Sequence, residues 1–551
     1  MASRKSIFLM LSTALLIAVP FAARAQTKAM NSITADDLRM HLIMVASSET
    51  EGRYTPSTGV NIVSRYLATM AERYGLKPLM PNGSYFQDIP LLIPAVSEHK
   101  SRLRVISPMG EEIYPYPESF GGSFRTSGVW GSEVVFVGYG LSAPDKGWDD
   151  YGDTDIAGKA VIMLAGQLPE GHALRAPDLL ATRSSVPRAK GAALILTVIS
   201  PEREKEMATS HTGFQLTLRP TFPGNYPTQS TARAGAPAPK QQPAAGAQPQ
   251  ETRPGPAPVF CDIRHETAAS ILGIKRSELD AMFDSIAHAR QVPRQEIDKR
   301  IELSVVAERR TGSSPNVLAV LEGSDPILKD EYVVISSHHD HLGVRSGQTL
   351  NGADDDGSGT VGMLEIAQAL TIERPKRSVI FAWFTGEEMG LLGSHYFVNN
   401  CPVPLEKISA DLNLDMISRN DPNSLFLIAS DNLSTELDGV IRSLNEKTSR
   451  LKFDYVYNNR THPDRFYYRS DQYPFVRVGI PAVWFFCGTT PDYHTVRDTI
   501  DRVDFGKMEK VTRLTYLVAL EIGNKPGLLK LDANPDVKVR GKHNTSVESI
   551  R

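Results

Sequence analysis

Histidines and carboxylates gather at five places in the second half of this sequence. They are His338-His339-Asp340-His341, Asp354-Asp355-Asp356 inside a glycine-flanked run, Glu387-Glu388, Asp415, and Tyr493-His494-Thr495. Four or more carboxylates packed into one cleft repel one another and hold on to their protons. A divalent cation reverses that penalty. Mixed imidazole and carboxylate ligands suit zinc, and the lack of nearby thiolates argues against a structural zinc site. More carboxylates than one zinc needs point to two metals sharing a bridging carboxylate, which together activate water and polarise a carbonyl. Each stretch alone has a plainer explanation. A lone His at a strand end is usually a satisfied polar group, an Asp run before a helix is usually an N-cap, and a Glu pair is usually solvated surface. The metal reading gains from all five falling at strand ends in one domain.

The elements that must position these groups are legible. Tyr332-Val333-Val334-Ile335 reads as a buried strand, Val361 to Leu370 as a helix, and Ser378 to Phe384 as a continuous apolar strand of the central parallel kind. Leu412-Asn413-Leu414 and Ala482 to Phe486 are further strands. Strands alternating with helical segments predict an α/β domain with a mostly parallel or mixed sheet flanked by helices. In such sheets ligands bind beyond the carboxyl ends of the strands, where the five stretches fall.

The rest of the chain is organised around this domain. Residues 1–25 carry Arg4 and Lys5, an apolar run and Ala23-Arg24-Ala25, the pattern of a cleaved export signal. That run is too short to span a membrane, and no other stretch is long and apolar enough. Export to a periplasm or the medium is expected, with no membrane span after cleavage. Residues 26–128 are expected to form the N-terminal part of the main domain, with helices near 30–46 and 58–75 followed by short strands and turns. Strands near 132–140, 158–164 and 192–198 predict a smaller β-rich insertion over 129–302. Its Pro/Ala/Gln-rich stretch at 228–258 is expected to be a mobile loop. The main domain follows over 303–530, then a flexible tail at 531–551.

The 551 residues include 60 Lys+Arg against 63 Asp+Glu, a net charge of −3 that gives no case for nucleic acid or an anionic membrane as partner. Three Cys, with no C-x-x-C spacing, exclude a disulfide framework and a thiol-based zinc site. Composition does not fix the oligomeric state.

The ordered set His338-x-Asp340, Gly352-Ala353-Asp354-Asp355-Asp356-Gly357-Ser358-Gly359, Gly386-Glu387-Glu388-x-Gly390, Leu414-Asp415-Met416 and His494-Thr495-x-x-Asp498-Thr499 resembles the five metal-site motifs of the M28 family of zinc aminopeptidases. The likeness covers roughly 30–125 and 303–525, and 129–300 resembles the protease-associated (PA) domain often inserted there. The resemblance implies a zinc-dependent exopeptidase fold, two Zn2+ ions and a peptide substrate. It implies that His338 and Asp415 hold one zinc, that Glu388 and His494 hold the other, and that Asp355 bridges both. Asp340 would orient the His338 ring and Asp498 would serve His494 likewise. Glu387 would be the general base and acid. Tyr467, with Tyr468 as its competitor, resembles a tyrosine that hydrogen-bonds the oxyanion.

Two positions depart from the family pattern. His339 replaces an aromatic or aliphatic residue and, by strand alternation, is expected at packing or rim rather than at the metal. Gln472 stands where a His often follows Ser-Asp, which bears on local hydrogen bonding. The expected activity is removal of N-terminal residues from peptides. The alternatives are a same-fold carboxypeptidase, for which Arg460, Arg465 and Arg469 could grip a terminal carboxylate, a glutaminyl cyclase, and a non-catalytic binding protein.

Overall fold

The computed structural model describes residues 26–124, 126–210, 221–222, 258–345 and 347–542. The expected signal segment and nearly all of 228–258 lie outside the described residues. The chain forms two compact units. Among the described residues, one contains 26–91, 221–222 and 312–542, and the other contains 92–210 and 258–311.

The first unit is built on a sheet whose strands are β1 (Ala307–Leu321), β2 (Tyr332–His338), β3 (Ser378–Phe384), β4 (Ile408–Leu414), β5 (Ser424–Ile428), β6 (Lys452–Asp454) and β7 (Ala482–Phe486). Their spatial order is β1-β3-β2-β4-β7-β5-β6, with a short edge strand at Lys77–Pro78 beside β1. The central four, β3, β2, β4 and β7, are parallel. β1 runs antiparallel to β3, and β5 antiparallel to β7. Every residue of β3, β4 and β7 is buried; β3 and β7 read as nearly unbroken apolar runs, while β4 alternates apolar residues with the buried Ser409, Asp411 and Asn413.

Helices α1 (Ala35–Val45), α2 (Thr58–Arg73), α3 (Gly359–Ile372) and α4 (Phe505–Asn524) pack with the sheet around one apolar core. The Thr34 hydroxyl accepts from the Asp37 amide and the Ser57 hydroxyl from the Val60 amide, which fixes where α1 and α2 begin. Helix α3 is apolar nearly all round because it packs against β2 and against α1 and α4. Each fully buried Leu, Ile or Val of this core contributes roughly 1.5–3 kcal/mol. From the central strand β2 the chain crosses to β3 on one side. The later strands β4 and β7 lie on the other side. The order therefore reverses between β2 and β4, which makes their carboxyl ends the place where a crevice must open.

The second unit holds an eight-stranded sheet with its own core. Its parallel part is Gly128–Phe136, Ala160–Leu164, Leu194–Val198 and Val259–Ile263. Its antiparallel part includes Gly110–Pro115, Arg102–Ser107 and Gln295–Val305. The strands at 102–121 were expected in the N-terminal part of the main domain, but they belong here. Arg102–Ser107 pairs with Gln295–Val305 and Phe120–Gly121 with Val259–Ile263, partners that come far later in the chain, and no local pattern says which sheet a strand will join.

The expected flexible tail also differs over its first part. Residues 531–542 form no helix or strand, but Val537 is buried. Arg540 donates to the carbonyls of Ile408 and Ser409 at 2.9 and 2.8 Å, and the Gly541 amide donates to the Val478 carbonyl at 2.8 Å. These bonds tie the segment to the first unit. Among the described residues no helix is long and apolar enough to cross a membrane.

Candidate metal centre

His338 is the last residue of β2 and Asp415 follows the last residue of β4, so the two face each other at the sheet's reversal point. His338 Nε2 lies 3.5 Å from Asp415 Oδ1 and 3.4 Å from Asp355 Oδ1. The other oxygen of Asp355 lies 3.0 Å from His494 Nε2, which in turn is 3.3 Å from Glu388 Oε1. Asp355 thus joins two clusters, one on each oxygen. Two donors bound tetrahedrally at about 2.0–2.1 Å from one zinc stand roughly 3.3 Å apart. The spacings in both clusters match that edge length, so these donors fit a pair of metal ions. All five residues expected as ligands come together.

The loop before α3 delivers Asp355 through a dense set of backbone bonds. Asp498 accepts from the Asp354 and Asp355 amides at 2.9 and 3.1 Å. Asp498 was expected to serve His494; it instead fixes the loop that presents the shared carboxylate. Asp354 accepts from the Ser418 amide at 3.0 Å and hydroxyl at 2.6 Å. Asp356 accepts from the amides of His338, Gly359 and Met416, so one carboxylate pins the ends of β2 and β4 and the start of α3. Gly359 is required there, since a Cβ would stand 2.2 Å from the Leu414 carbonyl oxygen.

Glu387 and Glu388 follow β3 across Thr385-Gly386. The Glu387 amide donates to Asp340 Oδ1 at 3.1 Å, and Glu387 Oε2 lies 3.9 Å from His338 Nε2. Asp340 Oδ1 is also 3.8 Å from His338 Nδ1, while the Asp340 carbonyl lies 3.2 Å from the same nitrogen. The expected orienting partner therefore sits beside the ring, with its backbone oxygen closer than its carboxylate. Asp415 is held in turn by the Ser470 hydroxyl at 2.6 Å, and Trp484 Nε1 donates to the Asp415 carbonyl at 2.9 Å.

Burial pushes Asp340 up to about 7 and Glu387 well above the ordinary carboxylate range, against the pull of His338. Burial and the neighbouring Asp355 push Glu388 up, but the His341 and His494 rings outweigh them and bring it down to about 2. His494 is lifted to about 10: burial disfavours its charged form, but bonds to Asp355 and Glu388 prevail. Carboxylates and imidazoles perturbed this strongly side by side fit a site whose burial cost a cation would relieve.

Sequence reasoning gave no role to His341, Asp356, Arg53 or Tyr493. His341 Nδ1 lies 2.9 Å from Glu388 Oε1, and His341, Asp355 and Glu388 can converge on one ion, as can His338, Asp356 and Asp415. The strand ends at His338, so alternation says nothing of His341, which turns toward the cluster. His339 is fully buried with Nε2 at 2.8 Å from the Ser64 hydroxyl, a packing position as expected.

Arg53 is fully buried and donates to the carbonyls of His339, Asn351 and Gly352 at 2.9, 2.6 and 2.9 Å. It locks the two metal-bearing loops together, and nothing in the local sequence marks it. Tyr493 stacks on His494 with ring centroids 3.7 Å apart, and its hydroxyl accepts from Arg469 at 3.0 Å. Tyr467 is buried, with Arg460 over its ring at 5.1 Å and Tyr468 edge-on at 5.1 Å. Gln472 donates to the Tyr467 carbonyl at 3.0 Å, which is how the chain uses the residue that departs from the family pattern.

Residues 316–519 match Peptidase family M28. The match covers the part of the first unit that holds the site. A zinc aminopeptidase from Bacillus subtilis has the same fold at 18% identity, with a TM-score of 0.50 over 92% of this chain and 99% of that one. Relatives in sequence include the "Probable leucine aminopeptidase 2" of Aspergillus fumigatus, 35% identical over 224 residues, or 40% of this chain and 41% of the relative. The "Leucine aminopeptidase 2" of Arthroderma otae is 27% identical over 249 residues, or 40% of this chain and 47% of the relative. The chain thus spans under half the length of these curated relatives. The M28-matching unit is interrupted in sequence by a PA-like β-rich insertion, and its site holds two His/Asp/Glu clusters able to bind metal.

Proposed function

We propose that the protein is an exported dizinc aminopeptidase that hydrolyses N-terminal residues from peptides, with the PA-like insertion as a separate domain. The observation that carries this reading is the shared Asp355 carboxylate, with one oxygen facing His338 and the other facing His494. In this reading His338 and Asp415 would hold one zinc and Glu388 and His494 the other, with Asp355 shared between the two sets. His341 is a further candidate donor at the second position. Bound there, the two ions would polarise the scissile carbonyl and acidify water.

Glu387 then acts as base and acid. Burial keeps its proton affinity high, so it takes a proton from the attacking water and passes it to the leaving amine. Asp340 fixes Glu387 through its amide and steadies the His338 ring. Tyr467 is the expected oxyanion donor, and Tyr493 is its rival because it stacks on His494. The leucine aminopeptidase names of the sequence relatives support an aminopeptidase. Export rests on the pattern of residues 1–25.

The test is a panel of aminoacyl reporter amides and matched peptides with free or acetylated N-termini, run beside metal analysis. An aminopeptidase cleaves only the free-amine forms and carries about two zinc ions per chain. Cleavage of acetylated peptides at their C-terminal residue would move the assignment to a carboxypeptidase. Cyclisation of N-terminal glutamine without hydrolysis would move it to a glutaminyl cyclase.

A further inference from the structure

The second unit contains a cavity of about 460 Å³ that no part of the metal chemistry uses. One wall is a face of the parallel sheet. The register pairs Met163 with Thr197 and Ile195 with Phe260, so alternate residues of three strands line the same side. The facing wall comes from the segment around the helix Thr182–Ala189 and contributes Arg175 and Arg183. The volume falls within the range of small-molecule sites, roughly 300–1,000 Å³.

The two arginines give the cavity its chemistry. Arg183 donates from Nε to the Tyr139 carbonyl at 2.9 Å and from Nη2 to the Leu164 carbonyl at 2.6 Å, and its guanidinium lies 4.3 Å over the Tyr139 ring. Those bonds fix the group beyond the carboxyl ends of two parallel strands, but they neutralise no charge. Among the described residues, neither Arg183 nor Arg175 has a carboxylate within 4.0 Å, and the Arg175 guanidinium has no hydrogen-bond partner. Asp150 attracts Arg183 only from beyond ion-pair range and is occupied by the Leu141 amide at 2.9 Å. A guanidinium in an apolar setting favours a carboxylate held through paired N–H donors. Burial lowers the pKa of Arg183, the expected sign for a cation awaiting a counter-charge.

We propose that this cavity binds a small monocarboxylate with an apolar body, its carboxylate between Arg175 and Arg183 and its apolar part against Met163, Ile195 and Phe260. Two sources present that chemistry: a free apolar amino acid or its N-acyl form, and the C-terminal end of a peptide.

The test is calorimetric titration of the full chain carrying Glu387→Gln, which prevents turnover. The probes are N-acetyl-leucine, N-acetyl-leucinamide and N-acetyl-Ala-Ala-Leu. Saturable binding of the acids, at least about tenfold tighter than the amide, is expected, since tenfold is about 1.4 kcal/mol and within the worth of a charge-assisted bond. Tighter binding of N-acetyl-leucine identifies the free acid as ligand, and tighter binding of the tripeptide identifies the peptide end. Adding Arg175→Gln should weaken either acid about tenfold while the thermal unfolding midpoint holds. In the chain with Glu387 intact, Arg175→Gln should leave reporter hydrolysis unchanged. Arg183→Gln also removes two carbonyl bonds and is read only beside its unfolding midpoint. Acid and amide binding alike, no saturation of either acid, or acid binding indifferent to Arg175→Gln would overturn the proposal.

Discussion

The two units treat buried charge in opposite ways. The M28 unit concentrates it: His338, Asp340, His341, Asp355, Asp356, Glu388 and Asp415 are all buried at the ends of a few strands and loops. The inserted unit spreads it thinly and settles it locally. Its buried Asp150 takes the Leu141 amide, and Glu204 pairs with Arg264 at 3.1 Å. Burying a like-charged cluster is expensive unless something cationic joins it, while an isolated buried group needs only hydrogen bonds. The contrast teaches that density of buried carboxylates, rather than burial of any one, marks the functional region.

Removing metal should break the contrast most strongly. Chelation leaves the carboxylates of the M28 unit facing one another without cations, so turnover should fall to background. Zinc at a thousandfold excess over its dissociation constant stabilises by about 4 kcal/mol per site, and that stabilisation is lost with the ion. Hydrogen exchange read peptide by peptide should show lost protection around His338, Asp355 and Asp415, with Leu194–Val198 unchanged. Protection lost equally in both units would mean that metal does not account for the difference between them.

Glu387→Gln separates chemistry from metal retention. The amide keeps the shape and cannot accept the proton, so kcat should fall by about 10²–10⁴ while zinc content, measured by elemental analysis, stays near two. A near-normal kcat would remove Glu387 from its role.

Much of this centre was readable in the sequence, for a physical reason. Metal chemistry restricts residue types severely, and the parallel sheet places those types at strand ends, so the five stretches around His338, Asp355, Glu388, Asp415 and His494 stand out in order, while the choice of ligand within each stretch came from the family resemblance. What escaped depends on where local rules stop. His341 lies three residues beyond the end of β2, where side-chain alternation no longer applies. Arg53 reaches the site from the other end of the domain's sequence. It acts through backbone carbonyls, which every residue has, so no side-chain motif points to it. Strands 102–121 were legible as strands, but their sheet was not, because pairing with Gln295–Val305 and Val259–Ile263 is a long-range choice.

Arg53 supplies the next sharpening. Lys in its place keeps the charge but cannot span the His339, Asn351 and Gly352 carbonyls with a planar fork. The loops bearing His341 and Asp355 should loosen, and a misplacement on the order of 1 Å costs up to about 10²-fold in rate. Arg53→Lys should therefore lower kcat by roughly 10–10²-fold, with KM little changed and zinc bound more weakly in competition with a chelator. Unchanged zinc affinity together with unchanged kcat would show that the clamp positions nothing.

The smallest effect belongs to the inserted unit and tests the other side of the contrast. Burial lifts the Asp150 carboxyl to about 6 from an ordinary 3.8, only partly offset by hydrogen bonds such as that from Leu141. Between those two values the folded chain holds a proton that the unfolded chain has lost. Stability contributed by this group is therefore full below the lower value and declines as pH rises through the window, and it is flat above about 6. Two pH units correspond to about 3 kcal/mol, an upper figure for a buried group that keeps an amide donor. Asp150→Asn removes the titration and retains a carbonyl acceptor for Leu141. The stability difference between wild type and variant, from denaturant unfolding followed by exchange in Val135–Leu141, should shift toward the variant by about 1–3 kcal/mol between pH 4 and 7. A difference that stays constant with pH would mean that Asp150 is ionised in the folded chain throughout. Hydrogen bonds such as that from the Leu141 amide would then offset the burial of Asp150 in full, and the two units would differ in carboxylate density alone.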